Sequence, residues 1–269
     1  MSNVNLTQGG VHVSSENIFT TVSGAHRKVT DMYTTVSGVH RRIPLSSYDP
    51  ILDNNTWEQI NAASQSGLRP WAIGSIKTED ATTGVTPKIW TLVGYGHDDL
   101  ADGSGKAGMT FITADTTNNY QRMNTSSTNV GGYNSSYLRV TVIPNTLFPA
   151  IPEELQTIIK PVTKLCTIGN LSVDTSAYIF EDLWVPSLIE LGISGVANDG
   201  ESYEYYIGNE SRIKYARGTT SGTARPYWTR TSAIYAGQFH TITVSGSGGA
   251  GTRPAANVTT QFVALGMCI

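Results

Sequence analysis

KIWTLVGYGHDDLADGSGKAGMTFITAD, residues 88–115, is the stretch that decides the class of fold. Its two ends, KIWTLVGY (88–95) and MTFITAD (109–115), are short apolar runs rich in β-branched and aromatic residues, which predicts strands. The middle is polar and glycine-rich, which predicts a turn. Residues 103–108, GSGKAG, satisfy the pattern G-x-G-x-x-G. That pattern holds a dinucleotide only where an apolar strand feeds the glycines and a helix N-terminus follows. Here polar HDDLAD precedes, a strand follows, and Ala107 stands where a phosphate loop needs Ser or Thr. The stretch is therefore read as strand, turn, strand. His97, Asp98, Asp99 and Asp102 are the densest group of potential metal or acid–base residues. They lack the alternating ligand spacing of a calcium loop, and Asp is common in turns for its own backbone bonds, so a structural turn is expected.

Outward from this stretch, strands and short helices alternate. Asn55 or Thr56 can cap a helix through about Ser66, with Trp57, Ile60 and Ala63 inward and Gly67 as its stop. WAIGSI (71–76) reads as a strand. Pro152 opens a second helix, IPEELQTII, with Glu153 and Glu154 at its positive end and Leu155, Ile158 and Ile159 on one stripe. Pro161 ends it. From residue 178 onward the pattern is short strands, glycines and aromatics, closing on QFVALGMCI as a strand. The expected class is α+β, strand-rich, with two short helices in a domain spanning 46–269.

Composition narrows the function. The chain has 269 residues, 14% charged, net charge −3, with 34 Thr and 27 Gly. Charge is low against the roughly 25% usual in soluble domains, and nothing basic advertises nucleic acid. No apolar run reaches the ~20 residues of a membrane span, and no secretory signal is visible at the N-terminus. Cys166 and Cys268 form no metal-binding pair and are expected as buried free thiols. No nucleophile elbow is present and neither cysteine sits beside a base, so the chain is not expected to be an enzyme. No cofactor and no metal are expected.

Residues 1–45 read as a separate piece. FTTVSGAHRKV (19–29) recurs as YTTVSGVHRRI (33–43), seven of eleven positions being identical. Each copy is two alternating runs around a Ser-Gly step, which predicts two β-hairpins with Val22, Val29, Val36 and Ile43 on one face. Hairpins alone are marginal in water, so this segment is expected to be an attachment arm. Its basic pairs, Arg27-Lys28 and Arg41-Arg42, are the candidate partner contacts.

Aromatic and amide-rich loops are the stronger signal for recognition, because Tyr and Trp give rigid contact area with a polar tip. Candidate ligand-binding residues are Tyr235, Gln238 and His240, with Tyr205 and Asn198. Arg139 and Arg230 lie in apolar, strand-like runs and are expected to be partly buried against Glu181, Asp182 or Glu190. Arg139→Ala is expected to unfold the domain rather than remove a selective activity.

An ordered series of motifs carries a resemblance over roughly residues 56–269: DGSGKAGMTFITAD, YQRMNTSSTNVGGYNSSYLR, IPEELQTIIKPVTKLCTIGN, LWVPSLIELG, EYY, YWTRTS and FVALGMCI. These resemble an uncharacterised domain family of gut Firmicutes and their phages, often found in tail-associated proteins, which looks related to C-type-lectin-like folds. Met123-Asn124, Gly131-Gly132, Ser136 and Arg139 match one core motif; Lys160, Val162 and Lys164 match another. Leu183, Trp184 and Ser187, then Trp228, Arg230 and Ser232, match two more. The resemblance implies scaffold roles for these residues and a C-type-lectin-like head. The Glu-Pro-Asn and Trp-Asn-Asp signatures of calcium-dependent sugar-binding lectins are both missing. The repeat is similar to short hairpin segments of phage tail and baseplate proteins. Together these imply a virion protein of the tail tip, baseplate or fibre, made in the bacterial cytoplasm and joined to other virion proteins through residues 1–45. Its head is expected to meet a host-surface glycan or protein, as a homo-oligomer, a trimer by analogy. A purely structural adaptor or decoration protein is the alternative.

Overall fold

Thr56 begins the first helix as expected. Its hydroxyl accepts from the backbone N–H of Gln59, and the Gln59 side chain accepts from the Thr56 N–H, closing a capping box. The computed structural model describes residues 48–79, 84–169, 176–207, 212–244, 248–256 and 259–269, together with the backbone of four N-terminal strands. The chain divides into two units, Met1–Asp49 and Pro50–Ile269.

In the first unit β1 (Phe19–Val22) pairs antiparallel with β2 (Ala25–Lys28), and β3 (Asp31–Val36) with β4 (Val39–Pro44). Val22 opposes Ala25 and Val36 opposes Val39, so each register brackets a Ser-Gly step. The two copies are two hairpins. Arg27 and Lys28 oppose Thr20 and Phe19, while Arg41 and Arg42 oppose Thr34 and Tyr33, the matching positions of each hairpin. Val29, the Ser-Gly steps themselves and all side chains of this unit lie outside the described residues.

The second unit mixes helix and strand. Helix α1 (Trp57–Gln65) buries Trp57, Ile60, Ala63 and Ser64. Its Ser64 hydroxyl donates to the carbonyl of Ile269. A five-stranded antiparallel sheet then forms from β5 (Ile76–Thr78), β6 (Ile89–Tyr95), β7 (Met109–Thr113), β10 (Leu183–Trp184) and β16 (Gly266–Cys268), in the order β10-β16-β7-β6-β5. The last strand of the chain is thus inserted beside the strand that opens the family-like motif series. A hairpin, β8 (Val162–Thr167) with β9 (Ser176–Glu181), lies outside that sheet, as does the short pair β11 (Lys214–Tyr215) and β12 (Ala224–Arg225). β13 (Tyr227–Ser232), β14 (Gln238–Ile242) and β15 (Ala250–Pro254) make a three-stranded meander. Helices α2 (Glu153–Ile158) and α3 (Glu204–Ile207) are short. Val93, Ile112, Val162, Trp184, Leu191, Tyr203, Tyr227 and Phe262 share one buried core that joins these layers.

Three expectations need correction. The strand read at 71–76 is a turn through Ser75, and β5 begins at Ile76. Only Gly266–Cys268 of the final run is strand. The larger error concerns the strand-like run around Arg139, which is a π-helical segment, Leu138–Leu147. Its β-branched run, Val140 to Ile143, favours strand locally. Burial decides otherwise: Leu138, Val142, Ile143 and Leu147 are inside, spaced for a wide helix. Pro144 lies within it. In an α-helix its ring would meet the carbonyl four residues back, and the wider π spiral relieves that contact. With α3 as well, the domain has more helical pieces than the two expected.

Candidate functional site

Among the described residues, two of the places where titratable side chains meet bear on function. The first is the core. Asp98, from the turn after β6, is buried and accepts from Lys164 Nζ, from Thr110 Oγ1 at 2.6 Å and from the Tyr203 hydroxyl at 3.1 Å. Lys164 on β8 also donates to Glu190 Oε1 at 2.9 Å, and its ammonium stands 3.9 Å from the centre of the Trp184 ring. Arg230 on β13 forks onto both oxygens of Glu190, while its remaining N–H groups reach the carbonyls of Leu165, Val185 and Asp199. Every one of these charges is screened from water.

Burial opposes ionisation of each group, yet the pairing wins. The Lys164 ammonium, with hydrogen bonds from His97, Lys164 and Thr110, holds the Asp98 carboxyl well below the usual range. Glu190 is likewise held low by Arg230 and Lys164, and Lys164 is raised by Glu190 and Asp98. The cluster is enclosed: Lys164 and Arg230 face Asp98 and Glu190, all four at most 6% exposed, with the buried Asp199 carboxyl also acting on Arg230. Of the turn residues, Asp102 accepts from the Ser104 N–H and Asp99 pairs with Lys106, the structural roles expected of them. Cys268 sits against Asp98 and Thr110 as a buried free thiol, and Cys166 is also buried and free.

The second place is open. Between the π-helical segment and the β9–β10 junction lies a cleft of about 310 Å³, lined by Arg139, Val140, Ile143, Phe148, Phe180, Glu181 and Asp182 among others. Arg139 Nε donates to Glu181; Nη1 reaches the backbone and side chain of Asn134, and Nη2 the carbonyl of Phe180. The guanidinium is fully engaged in tying the π-helical segment to β9. Alternation along β9 turns Ile179 and Glu181 inward and leaves Tyr178 and Phe180 outward, with Phe180 64% exposed. Burial pushes the Glu181 carboxyl up to about 7, against the opposing pull of Arg139. Asp182, next in sequence, makes no ion pair or hydrogen bond among the described residues, and partial burial raises its pKa.

The residues singled out for ligand binding lie on β14, the turn before it, the loop before α3 and α3 itself. Tyr235 is 58% exposed in the turn between β13 and β14. That turn is pinned by buried Asn129, whose amide donates to the carbonyls of Ala233, Tyr235 and Gln238 and whose oxygen accepts from the Gly237 N–H. Gly237 has φ +69°, and a Cβ there would stand 2.3 Å from the Ser127 carbonyl. Gln238 and His240 are half-buried on β14, and burial lowers the His240 pKa. Asn198 is exposed in the loop before α3. Tyr205 lies elsewhere, its ring against Gly74 and edge-on to Tyr206. Neighbouring Phe239 is core.

A family model described as "Domain of unknown function (DUF6273)" matches residues 107–261. The chain belongs to the DUF6273 family. No curated protein and no solved structure matches it. The DUF6273 span holds the whole cleft, along with Lys164, Glu190 and Arg230 of the core cluster, whereas Asp98 and Cys268 fall just outside it. Scaffold roles account for several of the quoted motifs within this span. Asn124 bridges the Thr128 carbonyl and the Tyr137 N–H, and Ser136 Oγ accepts from the Arg139 N–H at the start of the π-helical segment. Gly132, with φ +60°, has its would-be Cβ 1.9 Å from the Thr167 carbonyl, so backbone passes where a side chain cannot. The pairings Arg139–Glu181 and Arg230–Glu190 are among those expected from sequence. Phe180 and Phe148 were not foreseen as lining a site. The alternation in SAYIFE, with two aromatics on one face of a short strand, was the signal available.

Among the described residues no group of three or more His, Cys, Asp or Glu could hold a metal ion, and no helix is long and apolar enough to cross a membrane.

Proposed function

We propose that this chain is a phage virion protein of the tail tip, baseplate or fibre. On this reading the hairpin repeat attaches it to neighbouring virion proteins, and a C-type-lectin-like head meets the host surface without catalysis. The observation that carries the recognition role is the open cleft, where exposed Phe180 and Val140 border the carboxylates of Glu181 and Asp182. Exposed apolar side chains gathered at one concave site, rather than scattered singly, are a mark of docking surfaces. The charges of the core cluster, by contrast, are all spoken for and support scaffold rather than chemistry. Tyr235 on its pinned turn supplies a second presented aromatic, held rigid before any partner arrives, which lowers the entropy lost on contact. The paired hairpins, the low charge and the motif series support the virion setting. The strand-rich head with short helices agrees with a lectin-like class at the level of secondary structure.

Immunogold labelling of intact particles with antibody against residues 46–269 tests the reading. Label at the tail tip together with blocked adsorption is the expected result. Label on the capsid or tail shaft with adsorption untouched favours the adaptor role, and no label on any particle overturns the virion reading.

A further inference from the structure

We propose that the cleft between the π-helical segment and the β9–β10 junction binds an amine-bearing saccharide, its ammonium seated on Asp182 and Glu181 and its ring face on Phe180. The inference rests on the recognition reading and names the ligand class for that same cleft. Charge is the first argument. Arg139 is the one cation lining the cleft and faces two carboxylates, and its N–H groups are already directed at Glu181, Asn134 and Phe180. Arg139 is spent on Glu181 and Asp182 has no partner among the described residues, so the Asp182 carboxylate lacks a counter-charge. A ligand cation supplies it, and it arrives beside the faces of Phe180 and Phe148, which attract cations through their ring quadrupoles.

Shape is the second argument. A volume of about 310 Å³ lies at the low end of the roughly 300–1,000 Å³ of small-molecule sites, room for about one ring rather than a peptide segment. Most of the lining is apolar: Val140, Ile143, Pro144 and Phe148 from the helical side, Phe180 and Leu183 from β9 and β10. Such surfaces suit the C–H face of a pyranose better than the narrow, flexible stem of a lysine. The exposed Asp182 carboxylate, beside buried Glu181, then accepts hydrogen bonds from the amine and its neighbouring hydroxyl. No metal is called for, so binding is expected to be indifferent to chelators.

The test is calorimetric titration of the full chain with the β-1,4-linked trimer of D-glucosamine, its N-acetylated counterpart, and a trilysine peptide. The amine-bearing trimer is expected to bind, and the acetylated trimer, identical in skeleton but uncharged, at least tenfold more weakly. Asp182→Asn and Phe180→Ala, both at exposed positions, are each expected to weaken binding fivefold or more while leaving the melting temperature unchanged. Equal binding of the two trimers overturns the ammonium assignment. Binding of trilysine with the same dependence on Asp182, and none of the sugar, overturns the saccharide class. No heat from any of the three overturns the site. Failure of the broader reading looks different: the glucosamine trimer binds, but the chain does not block adsorption of particles. If instead the wild-type chain and Asp182→Asn block adsorption equally, the recognition role stands and this cleft is not its seat.

Discussion

The cluster around Lys164 and the cleft beside Arg139 are built from the same groups, yet they end in opposite states. In the core, Lys164 and Arg230 meet Asp98 and Glu190, every charge has an opposite within hydrogen-bond reach, and tyrosine and threonine hydroxyls fill the remaining positions. In the cleft, one arginine meets two carboxylates, one of which is left without a partner. Burial shows the difference in the pKa directions. Glu190, entirely enclosed, stays below its usual value because Arg230 and Lys164 both bond it directly, whereas Glu181, nearly as enclosed, rises to about 7 with Arg139 as its one bonded cation, a weaker pull from Arg230 and the opposing charge of Asp182. Desolvation is the largest influence on both, and how closely the opposing cations are bonded decides which way each moves.

The sharpest way to break this comparison is to open the core cluster. Glu190→Ala leaves Lys164 with Asp98 and takes from Arg230 its bidentate partner, with only the buried Asp199 carboxyl still acting on it, and removing one partner of a buried ion pair costs about 3–5 kcal/mol. Chemical denaturation is expected to show a loss of that order, enough to leave the domain largely unfolded at physiological temperature. Because Asp98 is held well below its unfolded value, the cluster's stabilisation is present at neutral pH and is lost as pH falls below about 4. A variant that stays as stable as the wild type would show that the cluster is not the keystone of the core.

Arg139→Ala probes the other side with a smaller expected effect. The guanidinium is 21% exposed, and Glu181 can escape its loss by taking up a proton. The expected cost is about 1–3 kcal/mol, that of a buried acceptor losing its donor, rather than the outright unfolding that sequence alone led us to expect. The sign of its pH dependence is fixed. Glu181 titrates near 7 when folded and near 4.5 when unfolded, so the folded state holds the extra proton between these values and stability declines as pH rises through that window. Arg139 restrains that rise, so without it the folded pKa climbs further. The deficit of the variant should therefore grow from pH 5 to pH 8. A deficit independent of pH would mean that Glu181 is not the group Arg139 serves.

Much of this architecture could be read from the residues, for reasons that are local. Thr56 and Gln59 form a capping box within one turn, Pro152 sets the first turn of α2, and the Ser-Gly steps bracket two hairpins by their spacing alone. Arg139 and Arg230 could be matched to carboxylates because a charge-poor chain offers few alternatives. The π-helical segment was hidden, since the strand propensity of Val140–Ile143 is overridden by packing of Leu138, Val142, Ile143 and Leu147 against distant elements. Asp98 was hidden in a different way. Its neighbours Asp99 and Asp102 do behave as turn residues, and only long-range contacts with Lys164 and Tyr203, 66 and 105 positions away, make it part of the core. The candidate site suffered most. Exposed aromatics drew attention to the β13–β14 turn, while the cleft depends on a helix that the sequence disguises as a strand.

Asp182→Asn has the smallest expected effect on folding, and for that reason separates the two regions most cleanly. An exposed carboxylate with no partner among the described residues contributes little to stability, and surface substitutions of this kind usually stay within about 0.5 kcal/mol. Removing its charge also relieves the repulsion that helps to raise Glu181. The Glu181 carboxyl should therefore titrate below its wild-type midpoint near 7, a shift measurable by carbon-detected NMR of the side-chain carboxyl. An unchanged melting temperature with a lowered Glu181 midpoint is the pattern expected of a site kept electrically incomplete. A melting temperature lowered by several degrees would instead assign Asp182 a structural partner, and the cleft would then belong with the core cluster as scaffold.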